Sequence, residues 1–312
     1  GIELLLNIAQ DIPRFALIDA VRMKQVLVNL LHNAVKFTDH GEVELKLSAS
    51  FAASTETATY QFTVRDTGIG IAPEQQHRIF EAFTQADSSI SRKYGGTGLG
   101  LVITSNLIEK MGGQLQLESA PGFGSTFSFA LTRKCRREEL LAADLSDTPG
   151  SALVIDDNAA SRRILKSMLE HWKITVHEAA NVDEVMAIVD KVKRIGAVIV
   201  DYDLPGINGI DIVRKLKVTN KKSVQQSTFV LMQTSNSDRP ALLKSRILGV
   251  EHTITKPVRE HLLLDSLQRL KDQATRQRAT VHTATAAEPT LTPLTIGSKK
   301  ILLAEDVDPA VL

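Results

Sequence analysis

Between residues 151 and 272 the chain alternates five times between a short apolar run and an amphipathic helical pattern. Strand-like runs fall at 153–155, 175–178, 197–200, 228–233 and 251–254, with helical patterns near 159–172, 182–192, 209–216, 240–248 and 260–270. Strands separated by helices pair in parallel, and a parallel sheet has to be covered on both faces. The expectation is a doubly wound α/β sheet whose strands all point their carboxyl ends at one edge, where such sheets place their sites. That edge receives Asp156 and Asp157 after the first strand, Asp201 after the third, Thr234 after the fourth and Lys256-Pro257 after the fifth.

Three carboxylates converging on one edge repel each other unless a divalent cation such as magnesium sits among them. An aspartate held against that cation can attack a phosphoryl group, while a hydroxyl and an ammonium (Thr234 and Lys256) hold its oxygens from the other side. One strand-end carboxylate would be ordinary loop solvation, but five matching positions make a site. The segment 151–272 resembles the response-regulator receiver domain, down to Asp201-Tyr202-Asp203-Leu204-Pro205, which is similar to the family's Asp-x-x-x-Pro turn. The resemblance implies that Asp201 is the phosphoacceptor. It also implies Asp157 as a direct magnesium ligand, Asp156 assisting, and the Asp203 carbonyl completing the coordination. Most receivers carry Tyr or Phe three residues before the lysine, and this chain has Thr253. The receiver is therefore expected to pass its phosphate on, or to hold a kinase in check, rather than to work through an aromatic switch.

Residues 1–132 follow another pattern, with strand-like runs at 3–8, 43–49, 60–65, 114–118 and 126–131 and helical patterns at 19–37 and near 98–110. On the first helix Gln25, Asn29 and Asn33 are four apart and share a face, with Lys36 close to the same stripe. Amide oxygens can ligate magnesium and a lysine can meet phosphate, although a solvated polar face explains the helix alone equally well. Asp66-Thr67-Gly68-Ile69-Gly70 follows a strand, so a carboxylate could accept from an exocyclic amine while glycines let backbone approach the base. Gly95-Gly96-Thr97-Gly98-Leu99-Gly100 opens a helix and would leave amides free for phosphate. A dinucleotide loop would follow the first strand of a β-α-β unit, and this one follows the polar segment 88–94.

Together, in this order, the three motifs resemble the N, G1 and G2 boxes of histidine kinase ATP-binding domains. Ile79-Phe80-Glu81-Ala82-Phe83 resembles the F box, and Gly122-Phe123-Gly124-Ser125-Thr126-Phe127 the closing strand motif. The resemblance implies a Bergerat-type (GHKL) ATP-binding α/β sandwich ahead of a flavodoxin-like (βα)5 receiver. Asn33 would coordinate magnesium with Asn29 assisting at the phosphates, Lys36 would touch phosphate and Asp66 would bind adenine. Gly68 and Gly70 would line the base, and Gly96, Thr97, Gly98, Leu99 and Gly100 would shape the lid. Hydrolysing ATPases of this fold, such as gyrase and Hsp90, place a base glutamate where this chain has Asn29, and an amide cannot take a proton. Transfer to an external nucleophile is thus favoured over hydrolysis; a hydrolysing ATPase and a non-catalytic nucleotide-binding scaffold remain the alternatives.

The remaining sequence reads as connectors: 133–150, ending in Asp-Thr-Pro-Gly, and the Ala/Thr/Pro-rich 273–298. At 299–312 the run Lys299-Lys300-Ile301-Leu302-Leu303-Ala304-Glu305-Asp306 echoes 151–157 and reads as the start of a second receiver. Both ends look cut. The chain accordingly resembles the carboxyl-terminal portion of a hybrid sensor histidine kinase. None of its eight histidines has the acceptor context of that family, so the acceptor is expected upstream, on a dimerisation domain that also makes a homodimer. Implied partners are ATP, that domain and a downstream histidine phosphotransfer protein or response regulator. A net charge of +1 gives no reason to expect direct nucleic-acid binding. One cysteine, Cys135, and no long apolar run fit a cytoplasmic portion, whose longer parent could be anchored in the inner or plasma membrane.

Overall fold

The computed structural model describes residues 1–13, 15–52, 56–81, 99–136, 149–219, 221–234, 247, 248, 250 and 252–268. Most of the expected helix 240–248, the connector 273–298 and the expected receiver start at 299–312 lie outside the described residues.

In the first region the sheet runs β1(Ile2–Ile8), β3(Gly41–Ala52), β4(Thr57–Asp66), β6(Gly124–Arg136), β2(Phe15–Ala16), with β5(Gln116–Ala120) also on β6. β1 pairs with β3 in parallel, and the other pairings are antiparallel. Helix α1(Ala20–Lys36) forms because Met23, Val26, Leu30 and Ala34 repeat at helical spacing and are buried, while Asp19 caps its start by accepting from the Arg22 amide at 3.0 Å. Short α2(Pro73–Gln76) and longer α3(Gly100–Lys110) follow. The α1 stripe and Ile108 of α3 pack on Tyr60, Phe62, Val64, Phe127, Phe129 and Leu131, which alternate along β4 and β6. The Phe62 and Phe129 rings stack with centroids 4.9 Å apart.

The reading of 133–150 as a connector is corrected at its start, because β6 continues through Arg133–Arg136. Exposed and half-buried residues alternate there, so charged side chains face solvent while the backbone pairs with β2 and the start of β4. Charge alone disguised the end of a strand.

In the second region the order is β13(His252–Thr255), β12(Thr228–Gln233), β9(Ala197–Asp201), β7(Ser151–Ile155), β8(Thr175–Ala179), all parallel. This is the doubly wound order, with its switch point between β7 and β9. Every residue of β9 is buried, as expected of a central strand covered on both faces. Two apolar clusters flank the sheet. One includes Val185, Val189, Ile212 and Leu216 from α5(Val182–Lys191) and α6(Gly209–Val218). The other includes Leu165, Met168 and Leu169 from α4(Ala159–His171), with Leu263 and Leu267 from the helical residues 260–268. A small hairpin, β10(Asp203–Leu204) with β11(Ile207–Asn208), was too short to read from pattern. Its Pro205-Gly206 centre, with Gly206 at φ +77°, is the turn chemistry expected there.

Candidate functional site

Two sites take shape, one on each sheet. In the first, Asp66 ends β4 with only 5% of its surface exposed. Its Oδ1 accepts from the Gly68 amide at 2.8 Å and the Ser125 amide at 3.2 Å. Burial raises the Asp66 pKa above the ordinary carboxylate value, and those two amides and Arg65 only partly oppose it. The turn is stitched to its surroundings, since the Ile69 amide donates to the Phe37 carbonyl at 3.2 Å and the Gly122 amide to the Ile69 carbonyl at 2.8 Å. Glycine is required at two points. A Cβ on Gly70, at φ +67°, would lie 1.9 Å from the Ala120 carbonyl oxygen, and one on Gly68 would lie 2.1 Å from that of Phe37. The turn is thus clamped between the end of α1 and the β5–β6 connection.

Asn29 and Asn33 are half-buried on one face of α1. The Asn29 Nδ2 donates to the buried Thr104 hydroxyl of α3 at 2.7 Å, and a Cβ on Gly100 would come within 2.6 Å of Asn29 Oδ1. The start of α3 therefore rests on Asn29, which sequence spacing did not reveal. Lys36 lies in the last turn of α1 with its Nζ 4.9 Å from the Phe37 ring centroid. Leu99 and Gly100 are at the start of α3, whereas Gly96, Thr97 and Gly98 lie outside the described residues, as do Ala82 and Phe83 of the F-box resemblance.

The second site is assembled at the carboxyl ends of three strands of one parallel sheet, β7, β9 and β13, with β12 between the last two. Asp156 follows β7 with none of its surface exposed, Asp201 ends β9 with 4% exposed, and Lys256 follows β13. The Lys256 Nζ donates to Asp201 Oδ2 at 2.6 Å and to Asp156 Oδ2 at 2.9 Å. Asp156 also accepts from the Ser161 hydroxyl at 2.7 Å and the Asn158 amide at 2.9 Å. Asn158 in turn caps α4, taking the Ala160 and Ser161 amides at 2.8 and 2.9 Å. Burial, with Asp156 nearby, pushes the Asp201 pKa up to about 6 against the lowering pull of Lys256. Burial disfavours the Lys256 charge, but Asp156 and Asp201 outweigh it and keep the ammonium protonated.

The other expected members are placed less uniformly. Asp157 is exposed, and the carboxylates gathered with their oxygens within 4.8 Å of one another are Asp156, Asp201 and Glu3. Asp203 lies beside Asp201, its amide 3.4 Å from Asp201 Oδ1. Thr234 is exposed just past β12, level with Lys256 by the pairing of Gln233 with Thr255. Thr253 is exposed on β13. A Cβ on Gly209 would lie 2.1 Å from the Asp201 carbonyl oxygen, so α6 closes directly against the end of β9. All-oxygen donors clustered at a buried sheet edge are of the kind magnesium takes. Ser161 and Asn158 could have been inferred from capping logic after a strand end; Glu3, donated by β1, could not.

Comparison with known proteins bears on both sites. Residues 18–134 match the family described as histidine kinase-, DNA gyrase B-, and HSP90-like ATPase, and residues 152–268 match the response regulator receiver domain. The chain is 33% identical over 322 residues to the sensory/regulatory protein RpfC of Xanthomonas campestris pv. campestris, covering 91% of this chain and 44% of that one. It is 32% identical over 330 residues to the virulence sensor protein BvgS of Bordetella bronchiseptica, covering 100% and 26%. Both relatives are thus more than twice as long as the part of them that the chain spans. Full-length ShkA, solved in complex with AMPPNP, superposes with a TM-score of 0.65 at 27% identity, covering 86% of this chain and 52% of that one. The chain belongs with the hybrid sensor histidine kinases, as an ATPase domain of the histidine kinase type followed by a response regulator receiver domain.

Proposed function

We propose that this chain is the phosphoryl-donating and first accepting portion of a phosphorelay: it binds Mg-ATP on the first sheet, serves a histidine on a dimerisation domain, and takes the phosphoryl group back onto Asp201. The observation that carries this reading is a buried Asp201 held by Lys256 at 2.6 Å on the same chain as the Asp66 cradle. A protein that only hydrolysed ATP would have no use for such an acceptor.

On the first sheet, Asp66 presents a carboxylate to the adenine amino group, and Gly68 and Gly70 let the base lie against backbone. Asn33 would hold magnesium, with Asn29 and Lys36 at the phosphates. The glycine motif at 95–100 covers them as a lid. Asn29 is an amide and cannot take a proton, so it activates no water there. On the second sheet Asp156, Asp157, Asp201 and the Asp203 carbonyl would hold magnesium, which neutralises charge on the transferred oxygens. An Asp201 oxygen attacks phosphorus as the bond from phosphorus to the histidine nitrogen breaks. Lys256 and Thr234 then bind the phosphoryl oxygens, and the group passes on to a histidine phosphotransfer protein or response regulator.

The test mixes this chain with labelled ATP and a separately expressed dimerisation domain of the same kinase. Label is expected on that domain's histidine and then on Asp201. Rapid release of inorganic phosphate without protein label would instead favour a hydrolysing ATPase, and nucleotide binding without either outcome a scaffold.

A further inference from the structure

An ammonium has three N–H donors, and the third donor of Lys256 is taken from outside the receiver. Glu3 Oε1 accepts it at 2.8 Å, beside Asp156 at 2.9 Å and Asp201 at 2.6 Å. Glu3 belongs to β1, an edge strand of the ATPase-domain sheet, 253 residues away in the chain. A second link runs beside it, from Asn158 Nδ2 to Glu42 Oε2 at 3.1 Å. Glu42 is the register partner of Glu3 across the β1–β3 pair. Two carboxylates directly opposite on neighbouring strands are an unfavourable pair. Arg65 of the same sheet holds Glu42 Oε1 at 2.7 Å, and Asn158 adds a donor to its other oxygen, while the cation that meets Glu3 is Lys256 of the receiver. Leu4, Leu5 and Leu6 of β1 also line one cleft with Ile164, Leu165 and Val258 of the receiver. Charge, register and apolar surface therefore agree on one occupant for the acceptor face.

We propose that the receiver's acceptor face docks on the β1–β3 edge of its own chain's ATPase domain, with Glu3 in the seat that a phosphoryl oxygen takes when Asp201 is modified. Docking and phosphorylation then exclude each other. A phosphoryl group adds up to about two negative charges and needs the Lys256 donor that Glu3 holds. It also sets that charge against the Glu3 carboxylate, so the edge strand is expelled. Conversely, while Glu3 is seated, a phosphodonor has no path to Asp201, whose side chain is 5% exposed. The proposal rests on Asp201 being the acceptor.

The experiment uses the whole 312-residue chain with magnesium and labelled acetyl phosphate. In this reaction an Asp201 oxygen bonds to phosphorus, the phosphorus–oxygen bond to the acetyl group breaks, and acetate leaves. Glu3→Gln is expected to load label about tenfold faster than the unaltered chain, the order expected from losing one charge-assisted bond. Asn158→Asp keeps the α4 cap, since Asp caps as well as Asn, but it turns a donor to Glu42 into a like charge. It should speed loading in the same direction with β1 intact. Small-angle scattering should show the unaltered chain expanding when beryllofluoride occupies Asp201. Equal loading rates in all three chains, or no expansion, would overturn the docking. Label on none of them would overturn the acceptor reading and the docking with it.

Discussion

The two sites gather their polar groups by opposite means. The receiver site concentrates charge: Asp156, Asp201 and one ammonium within hydrogen-bonding distance, all largely buried and fixed by three strand ends of one sheet. The ATPase-domain site spreads it out, with neutral amides on α1, a single buried Asp66, and backbone brought close by glycine. The receiver edge is therefore built in advance of its substrate and sensitive to loss of any one charge. The ATPase-domain site is built from contacts between elements and is sensitive to how they rest on one another.

The contrast breaks most sharply at Asp201. Asp201→Asn removes the nucleophile, so labelling of the receiver should vanish while ATP affinity, read by calorimetry, stays unchanged. Label on the substituted chain would place the acceptor elsewhere. Lys256→Met should leave two buried carboxylates unpaired at a cost of about 3–5 kcal/mol. Urea melting of the receiver would show a lower midpoint, and an unchanged midpoint would mean that the lysine does not stabilise the pair.

How much of this contrast was legible in the sequence depends on what kind of relation placed each residue. Asp156, Asp201 and Lys256 were legible because parallel topology sends every strand end to one edge, so pattern alone brought them together. Asp66 and its glycines were legible as a turn after a strand. The bond from Asn29 to Thr104 was not, because it joins helices 75 residues apart through one hydroxyl that no periodicity singles out. Glu3 read only as a strand residue and Glu42 fell just before the run at 43–49, since their significance comes from what faces them. β2, two residues long, falls below the length at which alternation means anything.

Smaller effects sharpen the ATPase-domain side. Asp66→Ala should weaken ATP binding by about 1.5–3 kcal/mol, roughly 10–150-fold, as loss of a charged hydrogen bond does, with acetyl-phosphate loading of Asp201 unaffected. Because burial raises the Asp66 pKa in the folded state, the native protein binds more protons than the unfolded chain just above the ordinary carboxylate pKa of 3.8. Its stability contribution therefore falls as pH rises from there through the raised value, and is flat beyond it. Asp66→Asn should flatten that stretch of a urea-midpoint profile, and an unchanged slope would assign it to another group. Gly100→Ala places a methyl against Asn29 Oδ1, the far end of a side chain that can swing away. The expected cost is about 1 kcal/mol of domain stability from the lost bond to Thr104, read as a lower urea midpoint.

The burial of β9 on both faces has a consequence for how the edge that carries Asp201 can be controlled. Hydrogen-bonded on both sides by β7 and β12 and sealed beneath both apolar clusters, its amides should exchange with solvent deuterium only when the whole domain opens. The strand that carries Asp201 thus has no softer, partly melted form on which a signal could act. Control of Asp201 is left to what arrives at and departs from its rim.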